Sequence, residues 1–508
     1  MIGSAKTNAN SVGLALATTI GLLMIFLASG FIFTSDNPFT KAAMLVGGLL
    51  LVVGIVQPRR MLILLVPISF YLDAIKRLLV MTGRTGLDDV TSVLAVAPLA
   101  AVGVIIGCVI RRIFFRKRRE PIERFVVFSA VAAFVAFGGM EAFTAGNLLY
   151  GLRTAANSTV YFLLPWAVLQ CFKTREEIER FLKFCILVGV PVALYGIWQY
   201  AFGLTQFEIT YLRSGLTITG NNLEDIRPRP FSTLGSSHAY SNIMMFMLPL
   251  ALYFTRSGMA IRRNWKTIAI ALTYALALLF SMGRGAVFAS IGMIVFAKLF
   301  RSKTGAVVAY SFSGACLGGM ILFAQTLQDM MEKVQGYLPG NSDWQQQAFR
   351  LGTFSDRLMG YQNVLTNPGA WPLLANPLKF RPAELTYEDT TFSHDLFSQM
   401  ILRVGIIPVF LGICVSIYIL FRAHRAILRL PGGQTGIRPL AARLMAIIVV
   451  FLLTQAAGSG ITVFPMNMWL GIFAGLLSVI CLHFQNTSPR EVRSSGPGVA
   501  APAVTVAR

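Results

Sequence analysis

Residues Val12 to Phe33 read VGLALATTIGLLMIFLASGFIF, an apolar run without a single charge. A hydrocarbon core about 30 Å thick takes roughly 20 such residues to cross as a helix. The run is too long for the apolar part of a secretory signal and lacks a small-residue cleavage site, so it reads as a retained first span. Comparable runs start near Ala42, Met61, Val90, Ile122, Ala156, Phe181, His238, Thr267, Arg284, Thr304, Leu396, Met445 and Met468. The expectation is an all-α polytopic integral membrane protein with about 14 (12–14) transmembrane helices and one large extramembrane loop. The run at Met61 is the weakest, because it is short and an amphipathic stretch from Asp73 to Asp89 follows it.

Composition agrees with a chain whose solvent is mostly lipid. Of 508 residues 55% are hydrophobic and only 13% charged, with a mean hydropathy of +0.65; a soluble domain carries about 25% charged residues. The net charge of +22 does not require a nucleic-acid partner, since basic residues collect in cytoplasmic loops because they resist translocation. Six cysteines, Cys108, Cys171, Cys185, Cys316, Cys414 and Cys481, fall within apolar runs with no CxxC pair. They read as small packing residues. There is no HExxH, no Walker-type phosphate loop and no GxGxxG nucleotide motif, so no cofactor is expected and cytoplasmic ATP is not expected to drive the process.

Placing the N-terminus in the cytoplasm and alternating sides puts roughly two thirds of the 44 Lys and Arg residues inside, the asymmetry the positive-inside rule asks for. The organisation is then a cytoplasmic N-terminus (1–11), the first eleven spans (12–324), a large loop on the far side (325–395), three further spans (396–485), and a disordered cytoplasmic tail (486–508). The densest basic run, Arg111 to Arg119, is either an inside anchor or a site for anionic lipid head groups. A loop of roughly 70 residues between helices is too long for a passive connection. No internal repeat is visible, which counts against an inverted-repeat transporter.

Three clusters on the far side carry chemistry. Arg284 lies in Ser281-Met282-Gly283-Arg284-Gly285-Ala286, where a turn joins two apolar runs. An arginine between glycines either approaches an anion closely, donating two parallel hydrogen bonds to a phosphate, or snorkels at a helix end. The second cluster is Arg227-Pro228-Arg229-Pro230-Phe231-Ser232-Thr233-Leu234-Gly235-Ser236-Ser237-His238. Its hydroxyls, small residues and following helix start suit an anion site, and the plainer reading is a rigid loop with solvated arginines. His238 reads as a helix-start residue. The third cluster, Asp389 to Leu396, closes the long loop, and places His394 beside Asp389 and Asp395. That imidazole is either a general base or a helix cap. His424 is assigned to a basic cytoplasmic loop, and His483 to a membrane edge.

In order, spacing and side, the three clusters resemble the bacterial O-antigen ligase and polymerase family of inner-membrane enzymes. Arg229-Pro230-Phe231-Ser232-Thr233 resembles the family's arginine segment before a helix, and Ser281 to Ala286 resembles its short S-x-G/S-R-G-A motif. His394, with Gly405 following, resembles the histidine that ends the large periplasmic loop. Arg357 resembles the arginine that opens a helix of that loop. The similarity covers roughly residues 201–420. It implies a multi-pass protein of the bacterial inner membrane whose active site faces the periplasm. The implied activity is metal-independent, inverting glycan transfer from an undecaprenyl-diphosphate-linked donor to a sugar hydroxyl. His394 would be the base, Asp395 or Asp389 its orienting partner, and Arg284, Arg229, Arg227 and Arg357 the diphosphate and glycan ligands. Implied partners are the lipid-linked donor, the glycan acceptor, membrane lipids and polysaccharide export or chain-length proteins. Asp395 and Pro408 stand where ligases usually carry other residues, which favours an O-antigen or exopolysaccharide polymerase over a ligase of lipopolysaccharide. A lipid-linked oligosaccharide flippase and a non-catalytic envelope scaffold are the rival classes.

Overall fold

The computed structural model describes residues 38–81, 87–114, 121–144, 158–214, 229–255, 261–322, 405–430, 437–455 and 460–483, together with 326, 329–330, 333, 373–374 and 400–401. Every described element is helical. In chain order the helices are α1 (Pro38–Val56), α2 (Pro58–Val80), α3 (Leu87–Leu94), α4 (Val96–Phe114), α5 (Pro121–Thr144) and α6 (Leu164–Cys171, entered through a 3-10 turn at Val160–Leu163). Then come α7 (Arg175–Phe202), α8 (Gln206–Arg213), α9 (Ser237–Phe254), α10 (Ile261–Phe280), α11 (Arg284–Leu299) and α12 (Lys303–Leu322). The last are α13 (Ile406–Leu428), α14 (Arg438–Thr454) and α15 (Met466–His483). The first span, most of the long loop and the tail lie outside the described residues, as does the basic run beyond Phe114.

Among the described residues three helices are long and apolar enough to cross a membrane by length and composition: Ser92–Phe114, Arg175–Phe202 and Ile406–Leu428. Others are shorter apolar helices, such as Thr40–Val56 and Met466–Leu482. These stretches fall short of a lone span because their partners, and not lipid alone, surround them. A helix apolar all round is stable either in lipid or inside a bundle, and α13 and α14 show both outcomes. Only 6% of the α13 span is buried, whereas α14 is buried continuously from Pro439 to Phe451.

The core forms where α14 and α15 meet α9 and α2. Phe246 of α9 packs edge-on against Phe451 of α14 and Phe473 of α15, at centroid distances of 5.1 and 5.6 Å, and Trp469 meets Phe70 of α2 at 5.6 Å. The α1–α4 crossing depends on small residues: a Cβ at Gly103 or Gly107 would lie 2.9 Å from Leu51 Cα or Ile55 Cα. Backbones approach this closely only where side chains are absent.

The ends of the bundle sort by charge. Arg59 at the start of α2 bonds Glu177 at the start of α7 (2.8 Å), and Arg111 at the end of α4 donates to Val56 O at the end of α1 (2.7 Å). Arg112 pairs with Glu123 at the start of α5 (2.8 Å). Lys183 lies 5.2 Å from the Phe254 ring, and Arg443 donates to Pro249 O. The described basic residues Arg59, Arg111, Arg112 and Lys183 therefore meet at adjoining helix ends, the basic end of the bundle. The span expected from near Leu396 is helical at Met400 and Ile401 and runs on from Ile406, with Gly405 at φ 98° between them. One expectation changes. His424, expected in a loop, is inside α13, buried between the Phe300 and Tyr310 rings at 5.8 and 6.3 Å. Cys108, Cys185 and Cys481 are buried packing residues, whereas Cys316 and Cys414 are exposed.

Candidate functional site

The arginine segment enters the bundle at the end opposite the basic clusters. Residues 229–236 are non-helical and lie between α2 and α7, with Pro230, Phe231, Ser232 and Leu234 buried. Irregular backbone is tolerated at membrane depth only when protein satisfies its polar groups, and each bond here can be named. Gln199 of α7 accepts from Phe231 N–H (3.0 Å) and Ser232 N–H (2.7 Å) through Oε1. Ser232 Oγ donates to Val192 O (2.6 Å) and Thr233 Oγ1 to Phe70 O (2.6 Å). Both carbonyls lie ten residues before their helix ends, about 15 Å at 1.5 Å per residue, so the segment penetrates well below the rim.

Arg77 of α2 holds the other side of the segment. It is 1% exposed, donates through Nη1 to Ser232 O (2.5 Å) and through Nη2 to Leu234 O, and lies 4.3 Å from the Phe231 ring centre. Its neighbours Asp73 and Lys76 pair at 2.8 Å. Glu208 of α8 accepts from Tyr195 OH (2.8 Å) and from Gln199 Nε2, which aims the Gln199 amide. The segment is thus clamped by two helices and a buried polar network.

Ser236 caps α9, its hydroxyl accepting from Ala239 N–H (3.1 Å). Here the expected anion cradle is corrected. The amides of Phe231, Ser232 and Ala239 and the hydroxyls of Ser232 and Thr233 are used internally to brace the loop. Arg229, half-buried, stands at the start of the segment.

The second motif forms the turn from α10 into α11. Ser281 Oγ donates to Leu278 O (2.7 Å) and accepts from Gly283 N–H (3.2 Å), and Met282 takes φ 56°. Gly283 must be glycine, since a Cβ would sit 2.6 Å from Ser241 Cβ of α9. This close approach fastens the turn to the helix that the arginine segment leads into. Arg284, the first residue of α11, is half-buried, and the positive charge of Arg229 reaches it. The segment after Arg229 leads into the start of α9, and the turn before Arg284 abuts α9 at Ser241, so the two motif arginines, 55 positions apart in the chain, approach the same end of that helix. Both non-glycine residues with positive φ among the described residues, Ser232 (φ 51°) and Met282, lie in these two motifs. Such strain persists only where the surroundings over-determine it.

No protein-family model, curated protein or solved structure matches the chain. The site must be judged on its own geometry. Arg227, Arg357, Asp389, His394 and Asp395 lie outside the described residues; among those described, the candidate site comprises Arg229, Arg284 and the framework that holds them. The long loop does return to the start of α13, where Ile407 N–H donates to Leu373 O (3.2 Å).

His238, read as a helix-start residue, lies in the first turn of α9. Its Nε2 lies 3.0 Å from Asn242 Nδ2, and its carbonyl accepts from Ser241 Oγ (3.0 Å) beside Gly283. Gln455, which accepts from Ile461 N–H (2.9 Å), completes this polar wall. Sequence reasoning gave Asp73, Lys76 and Arg77 no role beyond the amphipathic stretch from Asp73 to Asp89. Three charges at helical spacing within one turn of an apolar helix were the available signal.

Proposed function

We propose that the chain transfers a glycan from a polyprenyl-diphosphate-linked donor to a sugar hydroxyl at the outer face of a bacterial inner membrane, as a polymerase of O-antigen or exopolysaccharide. The observation that carries this reading is the shared locality of Arg229 and Arg284 at the end opposite the basic clusters. Two guanidinium groups in one locality suit an anion that joins them. A diphosphate supplies that anion and matches the planar donor fork of arginine. The depth of the arginine segment favours a donor whose tail stays in lipid while its diphosphate meets the pair.

In this account the acceptor hydroxyl oxygen attacks the anomeric carbon, and His394 takes the hydroxyl proton. The bond from that carbon to the diphosphate oxygen breaks, and the polyprenyl diphosphate leaves with the electron pair. Arg229 and Arg284, with Arg227 and Arg357 from the flanking segments, stabilise the growing negative charge. Asp395 or Asp389 orients the imidazole. Attack opposite the leaving group inverts the anomeric configuration. A flippase would need its charges along a path between both faces, and the Arg229–Arg284 pair at one end argues against that. Purified protein with His394→Ala is expected to lose polymer formation from a lipid-linked oligosaccharide while remaining folded; full activity in that variant removes the general-base role.

A further inference from the structure

A separate cavity of about 520 Å³ lies between α5, α13, α14 and α15. Its wall along α15 runs from Leu470 to Cys481, about 16 Å at the helical rise. That matches one leaflet of a hydrocarbon core about 30 Å thick. The walls are apolar apart from Ser129, Ser416 and Ser478. At the basic end of the bundle Arg422, Arg425 and Arg429 border the cavity, at spacings of three and four that put them on one face of α13.

Several basic residues at that end have partners of their own. Arg59, Arg112 and Arg175 each pair with a carboxylate, and Arg438 donates to the carbonyls of Leu428 (2.8 Å) and Leu430, which fixes the end of α13. Among the described residues Arg422, Arg425 and Arg429 form no ion pair, and the nearby Glu123 is engaged by Arg112 and Gln170. An apolar slot one leaflet deep thus ends in three guanidinium groups that no carboxylate pairs, Arg425 lying 5.7 Å from the Phe421 ring.

We propose that this cavity binds an anionic phospholipid of the leaflet on the basic side, with one acyl chain in the slot and the phosphate on Arg422, Arg425 and Arg429. Basic pockets between membrane helices recognise anionic head groups by this combination of charge and burial. A polyprenyl diphosphate held by Arg229 and Arg284 has its charge at the other end of the bundle and leaves this mouth unfilled.

The test uses the full chain in phosphatidylcholine nanodiscs carrying a small fraction of phosphatidylglycerol, with bound lipid counted by native mass spectrometry. The wild type is expected to enrich phosphatidylglycerol. The triple variant R422Q/R425Q/R429Q is expected to lose about a hundredfold in affinity, each arginine contributing about a factor of five near anionic lipid. Ala133→Phe fills the slot without touching the arginines and is expected to lose at least about tenfold by excluding the chain. Glycerol phosphate without chains should not compete. Equal retention of the two lipids by the wild type, or undiminished retention by the triple variant, overturns the proposal. Loss in the triple variant with Ala133→Phe unchanged reduces the site to surface charge and overturns the slot. Displacement of phosphatidylglycerol by an equal fraction of undecaprenyl phosphate assigns the slot to the donor lipid instead, and likewise overturns it.

Discussion

Replacing Arg77 with methionine tests whether the buried network exists to hold the arginine segment. The change keeps an unbranched side chain and removes two charge-assisted bonds, to Ser232 O and Leu234 O, each worth about 1.5–3 kcal/mol. It also removes the guanidinium from the Phe231 face, a contact worth about 0.5–2 kcal/mol. Part of that loss is returned because a buried cation no longer has to be desolvated, an effective cost of several kcal/mol. The remaining local loss, about 2–4 kcal/mol, is comparable to the roughly 1–3 kcal/mol stored by a residue in the left-handed region, here Ser232. The strained turn should therefore relax, carrying Arg229 with it. A displacement of about 1 Å at a reacting centre costs around a hundredfold in rate. The expected result is about a hundredfold fall in polymer formation, with faster amide exchange in peptides covering 231–234 and unchanged exchange in α14. Arg77→Lys, which can reach one carbonyl, should fall between. Wild-type turnover in Arg77→Met, or exchange that rises equally across the bundle, would refute the positioning role.

Three further outcomes follow from the same framework. Gln199→Leu strands the Phe231 and Ser232 amides and one Glu208 partner, and should cost about 2–4 kcal/mol in detergent stability, read by thermal unfolding. Met282→Gly relieves the positive φ and should raise stability by up to about 1 kcal/mol, whereas Met282→Ala should give no gain. Gly283→Val drives a side chain into Ser241 and should cost about 1–3 kcal/mol through overpacking, with a larger loss of activity than of stability because Arg284 is the next residue.

The described helices were legible because their apolar runs are bounded by turns or basic clusters. What was not legible depends on distant partners. The break before α13 was not legible, because only the backbone twist at Gly405 divides the helical residues Met400 and Ile401 from the run that starts at Ile406. The hydroxyls of Ser232 and Thr233 looked like anion ligands in isolation. Their acceptors, Val192 and Phe70, are 40 and 163 residues away, beyond any local pattern. Arg77 read only as part of an amphipathic stretch for the same reason: the carbonyls that justify burying it belong to a loop 155 positions later. His424 shows the converse error, since a basic neighbourhood outweighed the aromatic rings of other helices that enclose it. The two motif arginines were found because glycine and proline mark their turns.

The most direct measurement is the affinity of purified full-length protein for undecaprenyl diphosphate, in wild type, Arg229→Ala, Arg284→Ala and the double variant. If the pair holds the diphosphate, each single change should weaken binding about ten- to a hundredfold, from charge-assisted hydrogen bonds worth about 1.5–3 kcal/mol. The double change should weaken it by less than the product of the two, because the arginines act on one anion. Unaltered affinity in both single variants would contradict the account and leave the arginines as anchors of helix ends.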